Sequence, residues 1–381
     1  MLSEELEMLR SNVREFVSRH VEPIAREVDE RDEFPRELFR EMGKQGYLGI
    51  TVPERYGGSG LGYTAQSVVQ EELGYSSASI ALSYGAHSNL CLDNLYRNGN
   101  EHIREEFVPR LCSGEWIGSL CLTEPGSGSD ALAMRTSVTE DRGEFVLNGS
   151  KTLITNAPYA DLMLVYARDG DGYSAFAVRA TDRGVSKGSK FSKMGMRGSP
   201  TGELHFQDVR LGPERLVGQR GKARDVILSG LNMERVILAY LFLGLGRRAF
   251  DMAMAYSVQR KQGGREINEF ELVEQKLANM YTYLRTSRLL CDDALGAVSR
   301  DPMDGVAASS AIYWTAESAE YCAREAVQVM GGYGYIRDSG AERLLRDAVL
   351  GQIGAGTREI REHVIARGLV KRYKREGSIR I

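Results

Sequence analysis

The segment Ile227-Leu-Ser-Gly-Leu-Asn-Met-Glu-Arg-Val-Ile-Leu-Ala-Tyr-Leu241 sets the architecture of the second half of the chain. Ile227, Leu231, Leu238 and Leu241 recur at the spacing of one helical stripe, and Glu234 falls among them. The pattern predicts a helix that turns Glu234 inward. Burial without a partner disfavours a charged carboxylate and raises its pKa, which produces a base able to take a proton at neutral pH. The spacing alone leaves two other outcomes open, neutralisation by a basic neighbour or a place at the edge of the stripe.

Working outward, the 381 residues exceed what one hydrophobic core usually organises, so two or three domains are expected. Hydrophobic residues at 42% and charged residues at 27% are ordinary soluble-globular values. The 49 basic and 52 acidic residues leave a formal net charge of -3, without the positive field that nucleic-acid binding needs. The five cysteines (Cys91, Cys112, Cys121, Cys291, Cys322) form no CxxC pair, which argues against a disulfide framework or zinc site and fits a reducing compartment. The five histidines show no paired-ligand spacing, so no metal is expected. Met1 to Arg10 is acidic and amphipathic, unlike a signal or transit peptide, and no run of about 18 apolar residues occurs. A cytoplasmic protein that engages no membrane is expected, and a matrix protein stripped of its transit peptide would look the same.

Three regions differ in period. Residues 1–116 read as helical, with segments Glu5 to Val28 and Arg36 to Lys44. Residues 117–221 shorten to strand periodicity, as in Glu144-Phe-Val-Leu-Asn148, Leu162 to Ala167, Ser174 to Val178 and Glu203 to Phe206. Residues 222–381 return to long helices, Lys222 to Arg260, Glu269 to Ser299, Asp304 to Met330 and one from about Thr357, which suggests a four-helix bundle. The fold class is therefore mainly α with a central, barrel-like β-domain. The basic tail from Lys371 to Arg380 reads as a solvated helix end.

Gly244-Leu-Gly-Arg-Arg-Ala249 matches GxGxxA but lies inside a helical pattern, so it reads as a helix-packing site. Thr123-Glu-Pro-Gly-Ser-Gly-Ser-Asp130 concentrates hydroxyls and glycines at the start of the β-region, where successive amides could cradle an anion or simply cap a turn. Gly331-Gly-Tyr-Gly-Tyr335 and Gly354-Ala-Gly-Thr357 allow close backbone approach to a ligand, or only tight turns.

Taken together, these motifs resemble the acyl-CoA dehydrogenase family over essentially the whole chain. Thr123 to Asp130 looks like its TEPxxGSD signature, Gly149 to Asn156 like its GxKxWITN strand, and Lys193 to Thr201 like its β-domain exit. Gln328 to Tyr335, Arg343 to Asp347 and Gly356-Thr357 look like its second signature. Ser83 to Leu90, Asn98-Gly-Asn100 and Ile353 to Thr357 are closest in pattern to the isovaleryl branch.

The resemblance implies an FAD-dependent α,β-dehydrogenase of a short or branched acyl thioester, with electron-transferring flavoprotein or another acceptor as partner and a homotetramer or homodimer as assembly. Most of the family carries its catalytic glutamate just before Gly-Thr, where this chain has Ala355; the isovaleryl branch instead resembles it in having a glutamate at the position of Glu234. By resemblance, the Ala355 backbone N–H would meet the thioester oxygen. Thr123 and Thr155 would contact the flavin, Ser129 the pyrophosphate or the acyl carrier, and Arg260, Gln328, Gly332 and Thr357 the FAD phosphates and adenine. Arg235 and Gly354 would border the substrate.

Leu153 replaces the family's usual tryptophan beside the flavin, which puts the electron-transferring flavoprotein in doubt. Gly263 and Glu271 replace its usual phenylalanine and glutamine, and Asn232 a common aspartate. The short turn Arg168-Asp-Gly-Asp-Gly-Tyr173 stands where many relatives have a longer loop contacting CoA, which admits an acyl carrier protein as the alternative acyl donor. Two rivals on the same fold are a flavin monooxygenase and a non-enzymatic, nucleic-acid-binding flavoprotein. Glu234 argues against the first, and the absence of an evident basic patch against the second.

Overall fold

The computed structural model describes residues 4–379. The start at Met1 to Ser3 and the tail residue Arg380 lie outside the described residues. The N-terminal region is helical, but the expected helix Glu5 to Val28 is divided. It runs as Glu4–Phe16, continues as a wider π turn at Val17–Val21, and resumes at Ala25–Arg31. Pro23, which has no N–H to donate, lies in the break. Helices Gly62–Ser76 and Ala78–Gly85 then carry the chain into the core, and nearly every residue from Ala65 to Gly74 is buried.

The barrel-like middle domain takes the form of an eight-stranded mixed sheet. Its strands are β1 (Gly118–Cys121), β2 (Ser137–Asp141), β3 (Glu144–Thr155), β4 (Leu162–Asp169), β5 (Gly172–Arg179), β6 (Val185–Lys190), β7 (Thr201–Leu211) and β8 (Leu216–Val217). The order is β6-β7-β3-β2-β4-β5-β8, with β1 parallel to β4. Strand β3 is the longest, and its register against β7 slips between Lys151 and Ile154, where Leu153 sits at a φ of 56°. A bulge there turns the Leu153 side chain to solvent, 61% exposed, while Ile154 stays in the core.

Helices Ala223–Ser257, Glu271–Arg300, Gly305–Met330 and Arg358–Glu376 pack as the C-terminal bundle. The first is long and apolar enough to cross a bilayer, yet 72% of its most apolar window is buried inside the protein, as befits a core helix. It reaches the Gly62–Ser76 helix at unusually close range. A Cβ added at Gly244 would stand 2.1 Å from the Glu71 carbonyl oxygen, and one at Gly74 would stand 2.4 Å from the Leu241 carbonyl oxygen. The Gly244 to Ala249 motif is thus a packing site, as its helical context predicted.

Beside this crossing lies a fully buried carboxylate. Burial works to raise the pKa of Glu71, but Arg288, Arg247 and Arg10 outweigh it and hold it at about 2. The crossing makes a strong demand on residue size. Gly244→Val is expected to lower the melting temperature sharply, because backbone faces the added carbons and overpacking costs about 1–3 kcal/mol even where side chains can yield. Gly126→Ala, with nothing within 4 Å of its Cβ position, serves as the neutral control. Equal thermal melts for the two variants would contradict the packing role.

Candidate active site

Glu234 emerges from the Ala223–Ser257 helix into a small cavity of about 40 Å³. The other walls are Gln70, Leu82, Gly85, Ala86, Asn89, Leu90, Thr155, Ile237 and Leu238. Protein surrounds the carboxylate except for a partial opening on the cavity side. Burial raises its pKa to about 7, against the lowering influence of Arg235 and Arg361. No hydrogen bond or ion pair to Glu234 is present among the described residues. The two arginines explain why. Arg235 donates Nε to the Ala355 carbonyl at 3.2 Å and an amino group to Asn232 Oδ1 at 3.2 Å. Arg361, fully buried, donates to the carbonyls of Gly351, at 2.6 Å, and Gly354. Both cations lie close enough to act on Glu234 through space, but the hydrogen bonds they make go to the Gly351 to Ala355 backbone and to Asn232 and none to the carboxylate.

That turn carries the Gly354-Ala-Gly-Thr357 motif. Ala355 adopts a φ of 56°, a left-handed conformation that side-chain-bearing residues seldom take and that the two guanidinium clamps hold from the carbonyl side. The Ala355 N–H has no acceptor among the described residues. Thr357 caps the final helix, its side chain accepting from the Ile360 N–H. Arg235, expected to border substrate, is therefore positioned as a clamp on the turn.

Thr155 comes from the end of β3, a region distant in sequence from Glu234, and its hydroxyl has no partner among the described residues. Thr123 lies next to the same strand, its carbonyl accepting from the Thr152 N–H at 3.0 Å. Behind it, Glu124 anchors the loop. Its buried carboxylate accepts from the Arg135 and Thr136 amides at 2.6 and 2.9 Å and from Lys151 Nζ at 2.8 Å. Burial works against its charge, but these bonds keep its pKa below the ordinary value. Gly126 and Gly128 are open, with nothing near their Cβ positions, and Ser129 is exposed.

Arg260 and Gly332 do not reach the Glu234 cavity. They meet in a separate hollow of about 450 Å³, with Tyr256, Gln262, Tyr333 and Ile336. The Arg260 guanidinium has no hydrogen-bond or ion-pair partner among the described residues. Gln328 lies three residues before Gly331 and is exposed, its carbonyl accepting from the Gly331 N–H.

Family models for the acyl-CoA dehydrogenase N-terminal, middle and C-terminal domains match residues 3–115, 119–209 and 222–370. The mitochondrial isovaleryl-CoA dehydrogenase of Pongo abelii is 41% identical over 375 residues, covering 96% of this chain and 89% of that one. The chain belongs to the acyl-CoA dehydrogenase family. Among solved structures, the butyryl-CoA dehydrogenase of Megasphaera elsdenii superposes with a TM-score of 0.94 at 31% identity, over 97% of this chain and 99% of that one. The prolyl acyl carrier protein oxidase AnaB superposes with a TM-score of 0.92 at 28% identity, over 97% of this chain and 100% of that one. Membership makes the protein an oxidoreductase, with acyl-CoA dehydrogenation as its general activity.

Three polar cavity or clamp residues were given no role in the sequence reading: Gln70, Asn89 and Arg361. Gln66 and Gln70 stand four apart on a helix that buries Ala65, Val69 and Leu73, but Ser67, Glu71 and Glu72 on the same helix are polar too, so the two amides do not stand out as Glu234 does. Arg361 gave no signal, because its helix is polar on most faces.

The raised pKa of Glu234 has a consequence for stability. The folded state binds this proton more tightly than the unfolded chain, so ionisation costs stability progressively from pH 4.5 towards about 7 and fully above it. Glu234→Gln is expected to raise the melting temperature at about pH 8 and leave it unchanged at about pH 4, the difference amounting to at most about 3 kcal/mol. Identical shifts at both pH values would mean that the carboxylate titrates normally.

Proposed function

We propose that the protein oxidises the Cα–Cβ bond of a short or branched acyl thioester to the 2-enoyl thioester, with Glu234 as the base that removes the α proton. The observation that carries this reading is an unpaired, part-buried carboxylate with a pKa of about 7 in a small cavity shared with Thr155. A thioester α proton is weakly acidic, and a base that titrates near neutrality can accept it without being fully neutralised beforehand. Ala355 supplies the second element, because its free N–H can receive the negative charge that grows on the thioester oxygen. Arg235 and Arg361 keep that amide in place through the carbonyls on either side of it.

The donor set fits FAD. Thr123, Thr155 and the open glycines of the Thr123 to Asp130 loop would face the flavin and its ribityl chain, and the exposed Leu153 would cover the ring. Bound FAD would supply the acceptor for the β hydride. The Arg260 hollow, with its unpaired guanidinium and bare Gly331-Gly332 backbone, suits a diphosphate, with Gln328 at its edge and Thr357 nearer the flavin. Its separation from the Glu234 cavity fits a homotetramer or homodimer in which Arg260 serves the FAD of a neighbouring copy. Electron-transferring flavoprotein is the proposed acceptor, reached past Leu153. The cavity around Glu234 holds roughly three water-sized volumes, which suits a short acyl group.

One observation favours a second acyl donor. The β4–β5 connection is only the pair Gly170 and Asp171, and Asp169 is already paired to Arg220 at 3.0 Å, so this edge offers little to a CoA nucleotide. A carrier protein could deliver the same pantetheine arm, and AnaB shows that such a substrate name occurs within this fold. Anaerobic flavin reduction by one acyl group on CoA and on a carrier protein separates the two. Faster reduction by the carrier-bound form at lower concentration supports the second donor, and equal or faster reduction by CoA removes it.

Glu234→Gln is expected to retain FAD and bind substrate but to slow flavin reduction at least ~10²-fold. Adding Ala355→Glu should restore part of the rate, and near-normal reduction by the single variant would sink the assignment. Arg260→Ala should elute from gel filtration with less bound flavin than the parent. Unchanged flavin content counts against Arg260 as a phosphate ligand.

A further inference from the structure

The wall of the Glu234 cavity opposite the reacting base is partly polar. Gln70 is fully buried on the Gly62–Ser76 helix and lines the cavity with Gly85 and Asn89. Its amide nitrogen is committed, donating to the Ala81 carbonyl at 3.1 Å, and this fixes which end of the side chain is oxygen. Oε1 then has no donor in reach and is the only buried, unpaired side-chain atom among the cavity walls described. Gly85 makes room for this amide, since a Cβ there would stand 3.2 Å from Nε2 and 3.5 Å from Oε1. Asn89, 3% exposed, is fixed in turn. Its Nδ2 donates to Gln66 Oε1 at 3.0 Å, Gln66 Nε2 reaches Ser88 Oγ at 3.3 Å, and Ser88 donates to the Leu48 carbonyl. Each amide nitrogen in this chain has an acceptor within the protein, and Gln70 Oε1 is the amide oxygen facing the cavity that is left without a partner.

An unpaired buried acceptor is costly unless something that enters the cavity satisfies it. We infer that the acyl group taken by this pocket carries a hydrogen-bond donor, a hydroxyl or an N–H, at its distal end, received by Gln70 Oε1. The inference rests on the dehydrogenase reading above and narrows its substrate class. A thioester whose α carbon lies at Glu234 extends the rest of its short chain into the same small space, so its end group meets the Gln70 wall. Leu82, Leu90, Ile237 and Leu238 accommodate the intervening carbons. A wholly aliphatic chain of the same length would bury Oε1 against a methyl group, which a polar site discriminates against more strongly than an apolar pocket discriminates against an extra hydroxyl.

The test uses the holoenzyme and two CoA thioesters of matched size, γ-hydroxybutyryl and valeryl, which differ by a hydroxyl in place of a methyl. Anaerobic flavin reduction should favour the hydroxylated compound by about tenfold in kcat/KM, and Gln70→Leu should abolish or reverse that preference. Calorimetric binding of both compounds to the Glu234→Gln holoenzyme should show the same order independently of the chemical step. Flavin reduction in which valeryl is equal or better in the parent enzyme overturns the inference while leaving the dehydrogenase reading intact, as does a preference that survives Gln70→Leu. If neither compound reduces the flavin, the binding order still decides the inference, whereas failure of every acyl thioester to reduce it strikes the dehydrogenase reading. Should Gln70→Leu fail to fold, the comparison in the parent protein stands alone.

Discussion

Two carboxylates near one helix contact, Glu71 fully buried and Glu234 part-buried, define this molecule. The Ala223–Ser257 helix runs through the core, and at one end of its contact with the Gly62–Ser76 helix Glu71 is enclosed by Arg10, Arg247 and Arg288. On the long helix itself, Glu234 is part-buried with Arg235 and Arg361 close by. Burial acts in the same direction on both. The outcome differs because the guanidinium groups around Glu71 donate to the carboxylate itself, whereas those near Glu234 donate to backbone carbonyls. One carboxylate is held at about 2 and serves the fold, the other rises to about 7 and is available for proton transfer.

The cost of an unpaired Glu234 is borne by the rigidity of its surroundings. The glycine-to-backbone contacts of Gly74 and Gly244 leave the long helix no freedom to roll, so Glu234 cannot swing towards a partner. Backbone strain gathers in the same neighbourhood. Leu153, Asn156 and Ala355 all take positive φ values, 56°, 68° and 56°, without being glycine. Asn156 is fixed by donating Nδ2 to the Ser83 and Gly118 carbonyls at 3.0 and 3.2 Å, and Ala355 by the Arg235 clamp. Such conformations persist where surrounding bonds over-determine them, and here they set the end of β3 on the Glu234 cavity and the Ala355 turn against Arg235.

The change from helices to strands and back, and the helical bundle, were legible because apolar periodicity is a local property, and the Gly244 motif was correctly read as packing because it lay within a helical period. The division of the first helix at Val17–Val21 was less visible, since a π turn leaves little trace in the spacing of apolar residues. At the site, Glu234 stood out as a carboxylate in an apolar stripe. Arg235 did not have its role written in the sequence, because a guanidinium beside a base can face substrate, carboxylate or backbone, and only the fold shows it facing Ala355.

The sequence by itself pointed to Glu234 as a carboxylate in an apolar stripe, and it showed where helices give way to strands and the family to which the chain belongs. These follow from residue spacing and from ordered motifs. The tertiary structure decided that Glu234 would be unpaired, that Thr155 would face it across a cavity, and that Arg260 and Gly332 would lie in a different hollow. It also decided that Gln70 would present an unsatisfied oxygen to that cavity. The physical reason is common to all of these: whether a buried polar group is paired depends on the direction in which neighbours from distant segments spend their donors, and direction is fixed only when the segments pack.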